Sequence, residues 1–249
     1  MTAADPAEQL LLDLGITEPE EIDLEAIAFM VGASVRYRPL ARGDAQIVGL
    51  GDRAIITIDT NTSLVRQRFS VAHELGHWHH HRGQRLICHG ADPTELPATA
   101  GAEREADRYA ASLLMPRFMV GQMIADLPMT MALVDEAADH FRVSTMAAIL
   151  RLTDIHTDAF AIVVEEPDGR RWFRRSVGLD ARWFVWTAGP AGARPSGVGP
   201  CRATDWFRGP DLAERHVSIE TRRSADGQVI RLIRGPIQRA DAWSRLCGV

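Results

Sequence analysis

The segment "HELGH" at positions 73–77 matches the pattern H-E-x-x-H. On a helix, His73 and His77 are one turn apart and share a face, so their imidazoles can bind one zinc ion. Glu74 is one step further round the helix, beside the metal position, where a general base takes a proton from an attacking water. The segment therefore predicts a helix with metal ligands His73 and His77 and a catalytic Glu74.

The pattern by itself also fits a simpler interpretation, a helix with surface histidines and no metal. Hydrolytic zinc sites use three protein ligands and leave the fourth position for water. A later helical segment, "AEREADRYAASLLM", offers Glu103 and Glu105. At about 100° per residue, Glu103 falls on the apolar side of this helix and Glu105 on the opposite side. A carboxylate on a buried face needs a partner, so Glu103 is the predicted third ligand.

Two acidic residues of this later helix are candidates for the site. The alternative to a metal for Glu103 is a buried salt bridge with Arg66 or Arg68. Asp107 follows Glu103 by one turn, so it can accept a hydrogen bond from the free N–H of a ligand histidine and fix its tautomer.

Three more histidines follow the motif at positions 79–81. His80 shares the face of His73 and His77 but lies about 10 Å along the axis from His73, too far for the same zinc. We expect a solvated helix end over His79, His80 and His81, where an imidazolium also suits the helix dipole.

Local patterns predict the elements before this helix. Helices over "PAEQLLLDLG" and "DLEAIAFMVGA" are expected to end at Gly15 and Gly32. "SVRYRPL" is a predicted strand, and "AQIVGL" and "RAIITID" form a predicted hairpin through "GD". We expect "AIITID" at the edge of the sheet, where an extended substrate could pair with it. The histidine helix is expected to be capped near Thr60 to Thr62.

The segments after the histidine helix alternate loop and helix. "HGADPTELPATAG" is a predicted loop, with Cys88 and His89 at its start. An ordinary loop is the simpler interpretation there, and a regulatory fourth ligand is the alternative. The Glu103 helix is expected to stop at Pro116. "MALVDEAADHF" and "TMAAILRLTDI" then suggest helix, turn and helix, with Ser144 as the second N-cap.

The character of the chain changes after Ile155. "AFAIVVE", "RWFRRS", "HVSIETR" and "QVIRLI" are predicted strands. We therefore expect an α+β protein with a first domain over residues 1–120, a helical segment over 121–154 and a strand-rich region over 155–249. No motif in the last region carries chemistry, and its tryptophans are expected in the core: Trp172, Trp183, Trp186, Trp206 and Trp243.

The composition of the chain indicates the cellular compartment and the kinds of partner that the protein can bind. The three cysteines are too few and too scattered for a disulfide framework, and the acidic start does not resemble a secretory signal. A cytoplasmic protein without a membrane span is expected. All 28 basic residues are arginine. Residues 1–154 contain 13 arginines and 22 acidic residues, whereas residues 155–249 contain 15 arginines and 11 acidic residues. The acidic first part is a poor nucleic-acid binder by bulk charge.

Three segments in this order, "RQRFSVAHELGHWHHH", "EREADRYAASLLMP" and "HFRVSTMAAILRL", resemble the ImmA/IrrE family of metallopeptidases. The resemblance implies a zincin-like domain of the gluzincin type, with a small sheet and active-site helices, and a helix-turn-helix-like extension. It implies a Zn²⁺ cofactor held by His73, His77 and Glu103, with Glu74 as the acid/base. Family members often have Asn where Asp107 stands.

The resemblance also implies cleavage of a DNA-binding repressor in a stress or mobile-element response. We therefore expect a zinc endopeptidase whose partner is such a protein substrate. The alternatives are a non-proteolytic transcription regulator that keeps the fold, and a zinc hydrolase with a non-peptide substrate. The helix-turn-helix-like segment carries Asp135, Glu136 and Asp139 against a single arginine in its second helix. We expect it to pack rather than to bind nucleic acid. An oxyanion-stabilising residue is left unassigned among Tyr37, Tyr109, His140 and His156.

Overall fold

The backbone of the computed structural model is described over residues 5–82, 86–89, 99–187 and 200–238. The α-helices of this part are α1 Pro6–Asp13, α2 Leu24–Met30, α3 Leu64–His81, α4 Thr99–Leu114, α5 Arg117–Ile124, α6 Met131–His140 and α7 Thr145–Ile155. The strands are β1 Ala33–Tyr37, β2 Ala45–Leu50, β3 Arg53–Ile58, β4 Leu86–His89, β5 Phe160–Glu165, β6 Arg171–Arg175, β7 Phe184–Val185, β8 Pro200–Arg202, β9 Phe207–Arg208, β10 Arg215–Arg223 and β11 Val229–Gln238. The predicted α+β class is confirmed.

The chain divides into two compact units. Unit 1 comprises Met1–Met123 with Ala137–Ala147, and unit 2 comprises Ile124–Glu136 with Ala148–Val249. The division passes through α6 and α7. The domain boundaries that we expect from the sequence, after residues 120 and 154, stay a prediction.

Unit 1 contains a four-stranded mixed sheet in the order β1-β3-β2-β4. β1 runs parallel to β3, and β2 pairs antiparallel with β3 and with β4. The predicted hairpin of β2 and β3 is confirmed, and Gly51 takes the positive φ of its turn. The prediction that "AIITID" forms the sheet edge is wrong, because β3 has a partner on each side. Among the described strands, the edges of this sheet are β1 and β4.

The second correction in this sheet concerns Cys88 and His89. We expected them in a loop, but their backbone forms β4, in which Cys88 pairs with Ile47 and His89 with Gln46. Hydrogen bonds to a distant strand decide this conformation, which local composition does not reveal. The expected loop over 90–98, and the side chains of Cys88 and His89, lie outside the described residues.

Helix ends in unit 1 follow capping chemistry. Gly15 and Gly32 have positive φ directly after the C-caps of α1 and α2, as predicted. The N-cap of α3 is Ser63, whose hydroxyl accepts from the Arg66 N–H at 3.3 Å. The cap predicted near Thr60 to Thr62 is therefore wrong by one residue. The Asn61 N–H and the Thr62 hydroxyl donate to Asp59 instead.

The helices after α3 lie close to their predicted positions. α4 begins at Thr99, three residues before the predicted start, and ends before Pro116. α6 and α7 are the expected pair of helices. The Ser144 hydroxyl accepts from the Ala147 N–H at 3.1 Å, which confirms Ser144 as the N-cap of α7.

Unit 2 contains an antiparallel five-stranded sheet in the order β6-β5-β11-β10-β8, together with the β7–β9 pair. Trp183 and Trp206 belong to a buried cluster against this sheet, as predicted. Trp186 is exposed, so its predicted place in the core is wrong; Arg208 lies over its outer ring face instead. Trp172 is half-buried, and Trp243 lies outside the described residues. No helix of the described part is both long and apolar enough to cross a membrane.

Candidate metal centre

His73 and His77 face each other one turn apart on α3. Their ring centroids are 4.7 Å apart, and their Nε2 atoms are separated by 3.1 Å. His77 is buried and His73 is half-buried, because this part of α3 packs into unit 1 through the buried residues Val71, Ala72 and Leu75. The helix thus presents two imidazole nitrogens at one point of its surface.

Glu103 reaches the same point from α4. Its Oε2 lies 3.2 Å from His73 Nε2, and its Oε1 lies 3.2 Å from His77 Nε2. Its side chain is 37% exposed, so it stands at the margin of the buried face rather than within it. Glu105 is exposed, as its helical position predicts. The alternative salt bridges of Glu103 do not form, because Arg66 pairs with Asp44 and Arg68 donates to the Ile22 carbonyl.

Gly76 lets the two helices approach closely enough for this arrangement. A Cβ atom at Gly76 would lie 2.8 Å from Ala106 Cα and 3.0 Å from the Ala106 carbonyl oxygen. Any larger residue would therefore push α4 away from α3. Ala106 is one turn after Glu103, so this contact sets the depth at which Glu103 meets the histidines. Sequence reasoning missed Gly76, although a glycine inside a predicted helix is a signal of close packing.

Asp107 orients His73. Its Oδ1 lies 2.9 Å from His73 Nδ1, which directs the Nδ1–H towards Asp107 and leaves the lone pair of Nε2 facing the cluster. Burial lowers the pKa of His73, but the hydrogen bond to Asp107 and the nearby carboxylates outweigh burial and raise it above its usual value. The structure places Asp107 beside His73, and the roles of both residues stay a prediction.

Glu74 is 2% exposed, beside His73 on α3. Its Oε2 accepts no hydrogen bond from any residue that the structure describes. Burial is the main cause that raises the pKa of Glu74 to about 7; His73 opposes this shift and Glu103 adds to it. A buried carboxylate with a pKa near 7 can both take and release a proton.

The donor set fits a zinc ion. The ligand atoms of His73, His77 and Glu103 all lie within 4.8 Å of one another. Three ligands at about 2.1 Å from a tetrahedral zinc are about 3.4 Å apart. The observed separations of 3.1 to 3.2 Å are close to that value. Two imidazoles and one carboxylate also form a ligand set typical of hydrolytic zinc, with a position left for water. The cluster could therefore hold this metal.

The other predicted candidates have different surroundings. His79 and His80 are exposed at the end of α3, as expected, and the His79 ring stacks on Tyr109 at 5.1 Å. The side chain of His81 lies outside the described part. Phe69, which sequence reasoning did not single out, places its ring 5.9 Å from the His73 ring.

The unassigned tyrosines and histidines have partners elsewhere. The Tyr37 hydroxyl donates to Glu25, and His140 faces Glu20 at 3.6 Å. His156 lies in unit 2, where its Nε2 is 3.0 Å from the Leu127 carbonyl oxygen. These contacts assign none of them to the stabilisation of an oxyanion.

The fold combines a small mixed sheet, a helix with the H-E-x-x-H motif, and a second helix that supplies a carboxylate beside the two histidines. This combination defines the class of zincin-like metallopeptidase folds. A family model described as the IrrE N-terminal-like domain matches residues 20–153. This match covers more than half of the chain, so the chain belongs to this family of metallopeptidases. The resemblance to ImmA/IrrE proteins is thereby confirmed.

Solved structures with a similar fold include a Mycobacterium tuberculosis transcriptional regulator. It is 14% identical, the match covers 95% of this chain and 88% of that chain, and the TM-score is 0.56. At this identity the likeness shows the fold alone. A search of curated proteins finds no match.

Proposed function

We propose that this protein is a zinc-dependent endopeptidase of the cytoplasm that cleaves a regulatory protein. The proposed substrate is a DNA-binding repressor of the helix-turn-helix class, cut in a stress or mobile-element response. The observation that carries the proposal is the convergence of His73, His77 and Glu103, with the buried carboxyl of Glu74 directly beside them. A metal site with a purely structural role needs no such base.

The chain's own residues divide the work in this proposal. When bound, zinc supplies a Lewis acid that polarises the scissile carbonyl and activates water. Glu74 takes the proton of the attacking water and later delivers it to the leaving amine. Asp107 holds the His73 ring in the orientation that keeps Nε2 available. A substrate strand that extends the sheet could pair with β1 or β4, its edges among the described strands.

The second candidate is a transcription regulator that keeps the metallopeptidase fold without proteolysis. The M. tuberculosis structure with a similar fold carries the name of a transcriptional regulator. Against direct DNA binding, Arg151, the arginine of α7, is buried, and Asp135 of α6 forms an ion pair with Arg222. A recognition helix needs exposed side chains for bases and phosphates.

The deciding experiment incubates the zinc-loaded protein with helix-turn-helix repressors encoded near its gene. We expect the wild type to cleave one repressor at a defined bond, and Glu74→Gln to reduce the rate by at least about 10²-fold because the proton carrier is lost. Zinc content, measured on both proteins, should be equal. Cleavage at the wild-type rate by Glu74→Gln would refute the mechanism. Specific DNA binding without cleavage by either protein would favour the second candidate.

A further inference from the structure

An open cavity of about 330 Å³ lies between α1 and the last turns of α3, within unit 1. α1 is held against α4 and the start of α5, because the Ser112 hydroxyl donates to Asp5 at 2.8 Å and the Arg117 N–H donates to Glu8 at 2.8 Å. The residues of α1 and of α3 that line the cavity follow helical spacing, so each helix turns one face towards it. Cavities of this size bind small molecules.

The inner wall of this cavity is apolar and aromatic. Leu75 and Trp78 of α3 are 2% and 1% exposed, and Leu10 of α1 and Val31, directly after α2, line the cavity with them. The Trp78 Nε1–H donates to the Val31 carbonyl at 2.9 Å, so the indole ring has a fixed orientation. A wall of this kind binds a large apolar or aromatic group.

Two opposite charges also line the cavity, Asp13 at the end of α1 and Arg82 directly after α3. Within the described ranges, the Asp13 carboxylate accepts from the Gln9 side-chain amide at 2.7 Å and forms no ion pair. Arg82 likewise has no carboxylate partner there, and its guanidinium carbon lies 5.7 Å from the centre of the Trp78 ring. The cavity therefore offers one negative and one positive group that the described fold does not use.

Tyr109 of α4 adds a polar group to the wall of the cavity. It is 5% exposed, and its hydroxyl forms no hydrogen bond with any residue in the described part of the chain. Burial and then the charge of Asp5 raise the pKa of Tyr109 to about 12, so the hydroxyl keeps its proton at neutral pH and can donate it. Because buried polar groups are nearly always paired, this hydroxyl favours an occupant that carries an acceptor.

We propose that this cavity binds a free α-amino acid with a large apolar side chain. Its ammonium group pairs with Asp13, its side chain packs on Leu75 and Trp78, and its carboxylate supplies the acceptor oxygens that Arg82 and Tyr109 lack. A ligand with a single charge would leave Asp13 or Arg82 without a partner, whereas a free amino acid carries both charges beside its side chain. No predicted zinc ligand lines the cavity, so the proposal does not rest on the proposed peptidase activity.

Calorimetric titration of the full-length, zinc-loaded protein at neutral pH compares L-phenylalanine with 3-phenylpropionate, which lacks the ammonium group, and 2-phenylethylamine, which lacks the carboxylate. We expect saturable binding of L-phenylalanine, and at least about tenfold weaker binding of the other two, since each loses a contact between opposite charges. The indole N–H resonance of Trp78 should shift with L-phenylalanine while that of Trp183 stays in place. The metal-free protein should bind L-phenylalanine equally well, because the ligand does not contact the metal.

Arg82→Gln and Asp13→Asn each remove one charge of the cavity, and we expect each to weaken L-phenylalanine binding at least about tenfold. Arg38→Gln and Asp139→Asn, exposed charges elsewhere in unit 1, are the matched controls and should stay within about twofold of wild type. The proposal is wrong if L-phenylalanine does not bind, if it binds only with zinc present, or if a probe with one charge binds as well. Equal affinities in the cavity variants and their controls would also overturn it. The comparison of probes needs no variant, so a variant that fails to fold leaves the test intact.

Discussion

Buried polar groups are arranged differently in the two units. In unit 1, Nε2 of His73 and Nε2 of His77 are 3.1 Å apart, and each lies 3.2 Å from a different carboxylate oxygen of Glu103. In unit 2, Nε of Arg231 and Nε1 of Trp206 are buried N–H donors with no acceptor among the described residues, although Arg231 Nη1 donates to Glu165. Lone pairs that converge on one point suit a cation. The packing of α3 against α4 therefore prepares a metal site in unit 1, whereas these two donors of unit 2 are enclosed by their neighbours.

The largest expected effect concerns the metal site of unit 1. His77→Ala removes a predicted ligand, and we expect zinc affinity to fall by more than about 10²-fold. This loss is larger than the one expected when only a hydrogen-bond partner of a ligand is removed. His80→Ala, exposed on the next turn of α3, is the control and should bind zinc as the wild type does. Competition titration with a chelator measures all three proteins. An equal loss of zinc affinity in His77→Ala and His80→Ala would mean that His77 has no specific role in binding zinc, and it would contradict the assignment.

A smaller loss is expected for Asp107→Ala. The His73 ring loses the partner that fixes its tautomer, so zinc affinity should fall by about 10- to 100-fold. Glu105→Ala, an exposed carboxylate on the same helix, controls for the change in charge. The same titration checks the result. If both variants lose affinity equally, general electrostatics rather than the hydrogen bond to His73 explains the effect.

The smallest effect on zinc is expected from Gly76→Ala. The added methyl group meets the backbone of Ala106 at 2.8 Å, which should reduce the free energy of unfolding by about 1–3 kcal/mol. The displaced α4 should also weaken zinc binding several-fold. Gly101→Ala, in α4 with nothing within 4 Å of its new methyl group, should leave both quantities unchanged or slightly raise stability. Urea unfolding of the metal-free proteins compares the pair, and a neutral Gly76→Ala would contradict the packing argument.

Helical periodicity was enough to predict that His73, His77 and Glu103 come together. Positions 73 and 77 share a face at any helix orientation, and the apolar side of α4 favours Glu103 over Glu105. The contact between α3 and α4 is a tertiary contact that helical periodicity does not predict. The role of Gly76 in this contact is therefore seen only in the structure. β4 and the inner position of β3 were mispredicted for the same reason, since strand partners are distant in the chain.

Unit 2 was predicted only as strands. Short apolar segments indicated β5 and β11 but could not show which face Arg231 and Glu165 share, because that depends on register. The exposed Trp186 was mispredicted since composition alone places a large aromatic inside. Buried N–H groups without acceptors cannot be recognised from a sequence, so those of Arg231 and Trp206 are seen only in the structure.

The central claim is that His73, His77 and Glu103 together hold one zinc ion. The zinc K-edge absorption spectrum of the purified, zinc-loaded protein tests it most directly. We predict one zinc per chain with four nitrogen or oxygen neighbours at about 2.0–2.2 Å, two of them imidazoles, and one imidazole fewer in His77→Ala. A sulfur neighbour at about 2.3 Å, or a wild-type spectrum unchanged in His77→Ala, would contradict the claim.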